Sequence, residues 1–391
     1  MSILLTPLGQ RALELAAGLD DVDSLAAASR LRAEVPADIA AAALTQEALR
    51  RRARRKFGDA AASMWFTRDG LEQATRPAVA RWRARRLVEW GITRVVDLGC
   101  GIGADAVAFA EAGLEVLAVE CDEDTAEFAA LNLARFPHAD VEVGDVLDLV
   151  DPASPASPDT AVFLDPARRT AAGRSWSLTD LSPPWSFVEA MLGRGQLVVV
   201  KLGPGVPDRV LPTDAEVDIV DEGGDVVEAT VWHGPQVAPG RRALRVDGDD
   251  IEVIASTERA LDDGQGRIGR FVHEPVGAAI RAHAVADLPG AERWWGPLPG
   301  VAYASSDQPS SSTWATSFEV LEVLPWREQT LRAWCREHGI GTLEIKKRGL
   351  DVDPAALRRR LKLSGQASAT VILAPHSGGA VCLVVRRVRD A

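Results

Sequence analysis

The segment that decides the fold is Arg94-Val95-Val96-Asp97-Leu98-Gly99-Cys100-Gly101-Ile102-Gly103. Its apolar, β-branched residues predict a buried strand, and the glycines that follow let the backbone turn sharply and approach a ligand closely. The helix expected after the turn presents its N-terminus, which favours an anionic group. Because nicotinamide and flavin sites use a similar turn, the glycines alone predict a nucleotide-type cofactor without distinguishing among its kinds.

Alternating strands and helices surround this segment. Strands are expected at 94–98, 115–119, 140–143, 160–164, 196–201, 216–221 and 226–232, and helices at about 104–112, 123–135 and 184–193. This alternation is typical of a parallel sheet with helices on both faces. The last two strands are separated only by Glu222-Gly223-Gly224-Asp225, which leaves no room for a helix. The sequence therefore predicts an α/β fold whose seven-stranded sheet ends in an antiparallel hairpin.

Acidic residues beside the glycine turn distinguish the possible cofactors. Asp97 at the turn and Asp105 just after it would repel an anionic pyrophosphate. The glycine spacing also differs from GxGxxG, because Ala104 stands where a dinucleotide site has its third glycine. S-adenosylmethionine has a sulfonium and an ammonium group besides one carboxylate, and an acidic turn with free backbone amides suits that mixture. These residues therefore favour S-adenosylmethionine over a dinucleotide.

Two more acids follow the next two strands. Glu120 stands at the end of the second strand, where a carboxylate can accept hydrogen bonds from both ribose hydroxyls. Asp145 follows the third strand, where it can accept a hydrogen bond from the adenine amino group. Either acid alone is compatible with an ordinary carboxylate at a strand end. Three acids at the ends of three consecutive strands, behind a glycine turn, favour a cofactor site.

Residues 94–201 resemble the class I S-adenosylmethionine-dependent methyltransferase superfamily. The resemblance implies a Rossmann-like, seven-stranded core. It also implies that the first-strand acid and the glycines hold the methionyl part, the second-strand acid holds the ribose, and the third-strand acid reads the adenine between Cys121 and Val146. The expected cofactor-binding residues are Asp97, Gly99, Cys100, Gly101, Gly103, Glu120, Cys121, Asp145 and Val146.

The fourth strand ends in Asp165-Pro166-Ala167-Arg168, which resembles the Asn/Asp-Pro-Pro-aromatic motif of amino-methylating nucleic-acid enzymes. In that motif a polar side chain and a backbone carbonyl hold the target amine, and the aromatic ring stacks on the base. Asp165 and Pro166 are therefore the candidate catalytic residues, although alanine and arginine replace the second proline and the aromatic residue. Methylation at carbon 5 of a pyrimidine needs a cysteine near this strand, and none stands there, so N- or O-methylation is expected.

Other side chains are candidates for holding the acceptor. Trp176 and Trp185 could replace the missing aromatic residue, and Leu181-Ser182-Pro183-Pro184-Trp185 resembles the trimethylguanosine synthase family. Trp65 and Phe66 are expected to fold over the cofactor cleft and stack on the substrate, with a packing helix as the alternative. Arg168 is a candidate phosphate contact, with a solvated loop position as the alternative.

Basic residues are concentrated in two segments of an acidic chain. The net charge is −12, whereas residues 48–90 carry +8 and residues 318–391 carry +5. Local basic patches can bind phosphates even when the total charge is negative, and solvated helix faces are the alternative. Lys346, Lys347 and Arg348 are the expected substrate-binding residues of the second segment.

Residues 318–391 have the order βαβαββ, with strands at 318–324, 342–346, 369–374 and 380–387 and helices at 326–338 and 353–363. This small α+β arrangement resembles the THUMP-like, ferredoxin-like C-terminal domain attached to a group of bacterial methyltransferases. True THUMP domains bind RNA, so the resemblance implies N-methylation of a nucleotide in tRNA or rRNA. Two alternatives remain open: a small-molecule methyltransferase, which the acidic net charge favours, and a non-catalytic RNA-binding protein that keeps the fold.

The pattern divides the chain into four regions. These are a helical region at 1–88, the cofactor-binding domain at 89–235, a connecting region with short strands at 236–317, and the THUMP-like domain at 318–391. The four cysteines are scattered, so neither a disulfide framework nor a metal site is expected. There is no signal-peptide pattern and no apolar run of membrane-spanning length, so a cytoplasmic protein without a membrane partner is expected. Nothing in the pattern predicts an oligomeric state.

Overall fold

The chain divides into two units. A computed structural model describes residues 2–151, 157–168 and 178–388. The first unit comprises Met1–Glu216, Ala229–Pro239 and Gly248–Ile251, and the second comprises Val217–Glu228, Gly240–Asp247 and Glu252–Ala391. Among the helices within the described ranges, none has the length and apolar character needed to cross a membrane.

The N-terminal region is helical, as the sequence predicts. Its helices are α1 (Ser2–Leu5), α2 (Pro7–Ala17), α3 (Leu25–Arg32), α4 (Ala37–Phe57), α5 (Arg68–Gln73) and α6 (Pro77–Glu89). Helix α2 begins at Pro7 because the Thr6 side chain accepts a hydrogen bond from the Gly9 amide, and Ser24 caps α3 in the same way. Apolar side chains of α2, α3 and α4 share a buried core.

Strands and helices then alternate between residues 94 and 233. The strands are β1 (Arg94–Leu98), β2 (Glu115–Glu120), β3 (Ala139–Val143), β4 (Thr160–Leu164), β5 (Ala167–Arg168), β6 (Leu181–Ser182), β7 (Val198–Leu202), β8 (Glu216–Glu222) and β9 (Asp225–His233). The helices between them are α7 (Ala104–Glu111), α8 (Glu123–Leu133), α9 (Val146–Leu149) and α10 (Trp185–Leu192). Strands β5 and β6 form a separate two-stranded ribbon.

The main sheet confirms the predicted α/β fold. Its order is β3-β2-β1-β4-β7-β9-β8, and β10 (Gly240–Asp247) and β11 (Asp250–Ala255) continue it beyond β8. Strands β1 to β4 and β7 are parallel, whereas β9 runs antiparallel to β7. The turn between β8 and β9 needs left-handed backbone at Gly223 and Gly224, whose φ angles are 65° and 90°.

The centre of this sheet is closely packed. Every residue of β7 is buried, and so are the apolar residues of β4. Phe109 of α7 packs edge-on against Phe163 of β4, with 5.4 Å between the ring centroids. The carboxyl ends of parallel strands meet at one edge of a sheet, so this rigid centre fixes the loops that follow β1, β2, β3 and β4.

The second unit contains a six-stranded sheet. Its strands are β12 (Phe271–Pro275), β13 (Ala304–Ser306), β14 (Ala315–Pro325), β15 (Ile340–Lys347), β16 (Ala367–His376) and β17 (Gly379–Arg387), and its helices are α11 (Gly277–Arg281), α12 (Glu328–Glu337) and α13 (Pro354–Leu361). The order is β13-β12-β14-β17-β16-β15. The βαβαββ succession from β14 to β17 is the one that the sequence predicts. Short 3-10 turns occur at Gly58–Ala62, Leu178–Asp180, Asp208–Val210, Gly264–Gly266, Val285–Asp287 and Ala291–Arg293.

Two strands of this sheet lie within residues 236–317, which the sequence predicts to be a connecting region. Strands β12 and β13 pair with each other, and β12 also pairs with β14. Ser305 is fully buried; its hydroxyl donates to the Phe271 carbonyl at 2.7 Å and accepts from the Gly269 amide at 2.9 Å. The C-terminal sheet therefore begins well before residue 318. A three-residue strand ending in serines lacks the apolar alternation that identifies strands in a sequence.

Candidate cofactor and acceptor site

The glycine turn after β1 has a backbone shape that only glycine adopts easily. The φ angles of Gly99, Gly101 and Gly103 are 89°, 55° and 77°. The amides of Gly99 and Cys100 both donate to the Val119 carbonyl, at 2.9 and 3.0 Å, and so join the turn to β2. These bonds fix the shape of the turn at the carboxyl ends of β1 and β2.

Asp97 is the most deeply buried acid of the site. Its exposure is 0%, and among the residues that the structure describes neither carboxylate oxygen has a hydrogen-bond partner. Burial raises the pKa of Asp97 well above its usual value, and the carboxylates of Asp105 and Asp165 raise it further, whereas Lys201 and Arg83 oppose them. A buried carboxylate with two unpartnered oxygens suits a cationic ligand group.

Glu120 connects the loops after β1 and β2. Its Oε2 accepts from the Gly101 amide at 3.0 Å, and its Oε1 accepts from the Asp122 amide at 3.0 Å. The Gly144 amide in turn donates to the Glu120 carbonyl at 3.0 Å, which brings the end of β3 to the same place. Asp145 is exposed and caps α9, with its Oδ1 2.9 Å from the Leu147 amide. The structure thus brings the three predicted cofactor acids to one edge of the sheet.

Two cysteines lie near these acids. Burial, with Asp97 and Glu120, raises the pKa of Cys100 well above its usual value. Burial and the neighbouring Glu120 also raise the pKa of Cys121. Both thiols therefore remain protonated at neutral pH, which does not suit a cysteine nucleophile.

Asp165 belongs to a chain of charged groups that the sequence does not predict. Asp165 follows β4, and its Oδ2 forms an ion pair with Nζ of Lys201 from β7. Lys201 also donates to Thr75 Oγ1 at 2.9 Å, and Thr75 donates to Asp105 Oδ2 at 2.5 Å. Arg83 completes the chain through an ion pair with Asp105. In the sequence, the signal for these charge pairs is the lysine within the otherwise apolar strand β7.

Comparison with known proteins identifies the family. Two curated proteins of Mycobacterium tuberculosis, from strains CDC 1551 and H37Rv, are each 34% identical to this chain over 350 residues, which is 87% of this chain and 94% of theirs. Both are named as uncharacterized S-adenosylmethionine-dependent methyltransferases. This chain belongs to that family. It is an enzyme whose cofactor is S-adenosylmethionine.

Other comparisons concern parts of the methyltransferase or its fold. Residues 315–387 match the THUMP domain-like family, and residues 1–53 match a domain of unknown function, DUF8688. The crystal structure of a proposed methyltransferase from Porphyromonas gingivalis W83 is 21% identical, with a TM-score of 0.74 over 97% of this chain and 99% of that chain. The THUMP-like C-terminal domain and the class I fold are therefore confirmed.

The segment expected to replace the missing aromatic residue is only partly described. Strands β5 and β6 pair Ala167 with Ser182 and Arg168 with Leu181, so the backbone after Asp165 runs beside the segment that leads to Trp185. The half-buried Trp185 indole donates to Glu189 Oε1 at 2.9 Å on its own helix. Trp176 lies outside the described residues.

Trp65 and Phe66 lie in packed cores of the methyltransferase. Their exposures are 9% and 1%. The Trp65 amide donates to Asn132 Oδ1 at 2.8 Å, and the Phe66 amide donates to Gln46 Oε1 at 2.9 Å. Asn132 also donates to the carbonyl of Ile102 in the glycine turn, at 2.8 Å. This geometry fits the packing alternative, and stacking of either ring on a substrate stays a prediction.

The predicted cations of the second unit are partly neutralised. Lys346 Nζ lies 2.7 Å from Glu274 Oε2, and Arg348 Nη2 lies 3.6 Å from Glu274 Oε1. Lys347 is exposed and donates to the Leu350 carbonyl at 3.4 Å. Two of the three cations thus share one acid, which the sequence did not indicate. Within the described ranges, no group of three or more His, Cys, Asp or Glu residues is arranged to hold a metal ion.

Proposed function

We propose that the methyltransferase transfers a methyl group to a nitrogen atom of a nucleotide in RNA, either tRNA or rRNA. The observation that supports this most directly is the place of Asp165, which follows β4 in the same charged cluster as the buried acid Asp97. A carboxylate there can accept a hydrogen bond from an amino group and direct its lone pair towards the methyl group. The THUMP domain-like match supports RNA as the class of acceptor.

The cofactor is proposed to bind along the carboxyl ends of β1, β2 and β3. Asp97 would accept the methionyl ammonium group, because its two buried oxygens are unpartnered among the described residues. The glycine turn, which has no side chains at Gly99, Gly101 and Gly103, would let the methionyl part approach the backbone closely. Glu120 would accept the ribose hydroxyls with its remaining lone pairs, and Asp145 would accept the adenine amino group.

The acceptor is proposed to bind at Asp165 and Pro166. Bound S-adenosylmethionine supplies a methyl group on a positively charged sulfur, which a nitrogen lone pair can attack. Asp165 would hold the N–H of the acceptor, and the Pro166 carbonyl would hold a second one. The new N–C bond forms as the S–C bond breaks, and the amine proton leaves to Asp165 or to water. The protonated thiols of Cys100 and Cys121 argue against a route through a covalent cysteine intermediate.

A small-molecule acceptor is the second candidate. It is favoured by Glu274, which pairs with two cations of the predicted RNA surface, Lys346 and Arg348, and so reduces their net charge. The RNA proposal then depends on cations that stay exposed in the second unit, such as Arg358 and Arg359 of α13. The two candidates differ in their salt dependence, because counterion release makes RNA binding weaken steeply as salt rises.

The experiment that tests the proposal compares methylated nucleosides, by mass spectrometry, in total RNA from source strains with and without the gene. We expect one methylated nucleoside to be missing without the gene and to be restored by the purified enzyme with S-adenosylmethionine. Asp165→Asn should fail to restore it, whereas the control Asp140→Asn, which changes an exposed acid of β3, should restore it. Identical nucleosides in both strains, together with no RNA binding even at low salt, would contradict the proposal.

A further inference from the structure

Lys201 lies between the cofactor side and the acceptor side of the site. We propose that Lys201 is a positioning residue for methyl transfer: its ammonium group, held in place by Thr75, fixes the carboxylate of Asp165 for the acceptor and the charge of Asp97 for the cofactor. The part that concerns the acceptor rests on the proposed function. The part that concerns the cofactor rests on the proposed role of Asp97, whereas the use of S-adenosylmethionine itself follows from the family.

Lys201 stands in a strand that would suit an aliphatic side chain. Its exposure is 8%, and its neighbours in β7 are valines and a leucine. A buried ammonium group is costly unless it is paired and hydrogen-bonded. The ion pair with Asp165 and the 2.9 Å hydrogen bond to Thr75 meet that requirement. The lysine therefore serves the carboxylates of the site and not the packing of the sheet.

Thr75 fixes the position of the ammonium group. It lies between α5 and α6, is 4% exposed, and donates to Asp105 Oδ2 at 2.5 Å. Asp105 is held by the buried Arg83, which lies over the Phe163 ring at 4.8 Å. A free lysine side chain samples many rotamers. Here the ammonium group of Lys201 is confined by side chains that are themselves buried, so its position relative to the Asp165 carboxylate is fixed.

The charges of the cluster explain why one ammonium group matters to both sides. Three carboxylates, those of Asp97, Asp105 and Asp165, interact with two cations, Lys201 and Arg83. Without Lys201 the pKa of Asp97 rises further, because Lys201 is one of the groups that lower it. A proton on Asp97 competes with the cofactor.

The competing explanation is an ion pair that only stabilises the fold. Such a pair would change the unfolding temperature when broken but would leave the pH dependence of cofactor binding unchanged. Calorimetric titration of S-adenosylmethionine into the full chain, repeated across the pH range in which the wild type gains affinity, separates the two explanations. It needs no acceptor. The variants are Lys201→Met, Lys201→Arg, Thr75→Val and the control Lys362→Met, which removes an exposed lysine of the second unit.

We expect Lys201→Met to move the midpoint of the pH dependence upwards, and so to weaken binding at the wild-type midpoint. Lys201→Arg should keep the wild-type profile, Thr75→Val should shift it in the same direction by less, and Lys362→Met should leave it unchanged. A folded Lys201→Met protein with the wild-type profile would overturn the proposal. If Lys201→Met does not fold, Thr75→Val decides: a shifted profile supports the proposal, and an unchanged one overturns it.

Methyl transfer to RNA from the strain without the gene tests the acceptor side. Lys201→Met should lower the transfer rate at saturating cofactor at least tenfold. In an Asp165→Asn background the same change should cause no further loss, because both substitutions abolish the function of the Asp165 carboxylate. Additive losses would show that Lys201 does not act through Asp165. If the wild type transfers nothing to any RNA, the proposed function fails, while the cofactor titration still decides the role of Lys201.

Discussion

His273 is expected to make the stability of the second unit depend on pH. Its ring is fully buried, with Nδ1 2.9 Å from Ser317 Oγ and Nε2 2.8 Å from Ser306 Oγ, and it stacks on Trp294 at 4.6 Å. Burial lowers the pKa of His273 from 6.5 to about 4. Between these values the unfolded chain binds a proton on this residue and the folded unit does not. The free energy of unfolding therefore falls as the pH decreases from 6.5 towards 4, and is unaffected above 6.5.

The size of the effect follows from the shift in pKa. A shift of about 2.5 pH units corresponds to about 3 kcal/mol once the pH is below 4, and to about 2 kcal/mol at pH 5. The assay is urea unfolding of the wild type and of His273→Gln, with hydrogen exchange of Phe271–Pro275 reporting the second unit. His273→Gln loses the ring stacking at every pH but has no proton to bind, and groups that titrate equally in both proteins cancel.

The stability advantage of the wild type over His273→Gln should therefore shrink by about 3 kcal/mol between neutral pH and about pH 4. An advantage that stays constant over that range would refute the reasoning, because it would mean that the folded unit accepts the proton as readily as the unfolded chain does.

Three further predictions concern the first unit. Asp97→Asn should weaken S-adenosylmethionine binding at least tenfold in calorimetry, while the ligand-free protein unfolds at the same or a higher temperature, because a buried unpartnered carboxylate is removed; a lower unfolding temperature would contradict this. Gly103→Ala should cost about 1–2 kcal/mol in urea unfolding, since φ is 77° and the added Cβ would lie 3.4 Å from Ala129. Asn132→Ala should cost about 2–4 kcal/mol, because buried backbone groups, including the Ile102 carbonyl, lose their partner; a cost below about 1 kcal/mol would show that water replaces the side chain.

Much of the first unit could be predicted because its signals are local. Strand β1, the glycine turn and the strand-end acids all lie within short stretches whose residue types dictate backbone shape or charge. Parallel strands bring their carboxyl ends to one edge, so Asp97, Glu120 and Asp145 could be grouped without knowing any long-range contact. The antiparallel hairpin of β8 and β9 could be predicted because the four residues between the two predicted strands leave no room for a helix.

The charged cluster could not be predicted, because it depends on partners far apart in the sequence. Lys201 meets Thr75, which is 126 positions away, and Arg83 meets Asp105. The basic segment at 48–90 was interpreted as a phosphate patch or as solvated helix faces, yet Arg83 and Arg86 are 1% and 7% exposed and form ion pairs. Counting charges in a segment does not reveal which of them are buried.

The same limit applies to the second unit, where Glu274 pairs with two cations from a distant part of the chain, Lys346 and Arg348. Its strand, β12, is five residues long and ends in proline, and so short a segment does not by itself indicate that it joins the C-terminal sheet.

Because β12 belongs to the C-terminal sheet, it determines where the chain can be cut when this sheet is transferred to another protein. A chimera cut at the family match, residues 315–387, would omit two strands of the sheet, expose the open edge of β14, and leave Lys346 and Arg348 without their acid. A graft that begins at Glu252 would keep the sheet and its charge pairs intact. The structural unit that contains the C-terminal sheet is therefore longer than the segment that matches the THUMP domain-like family.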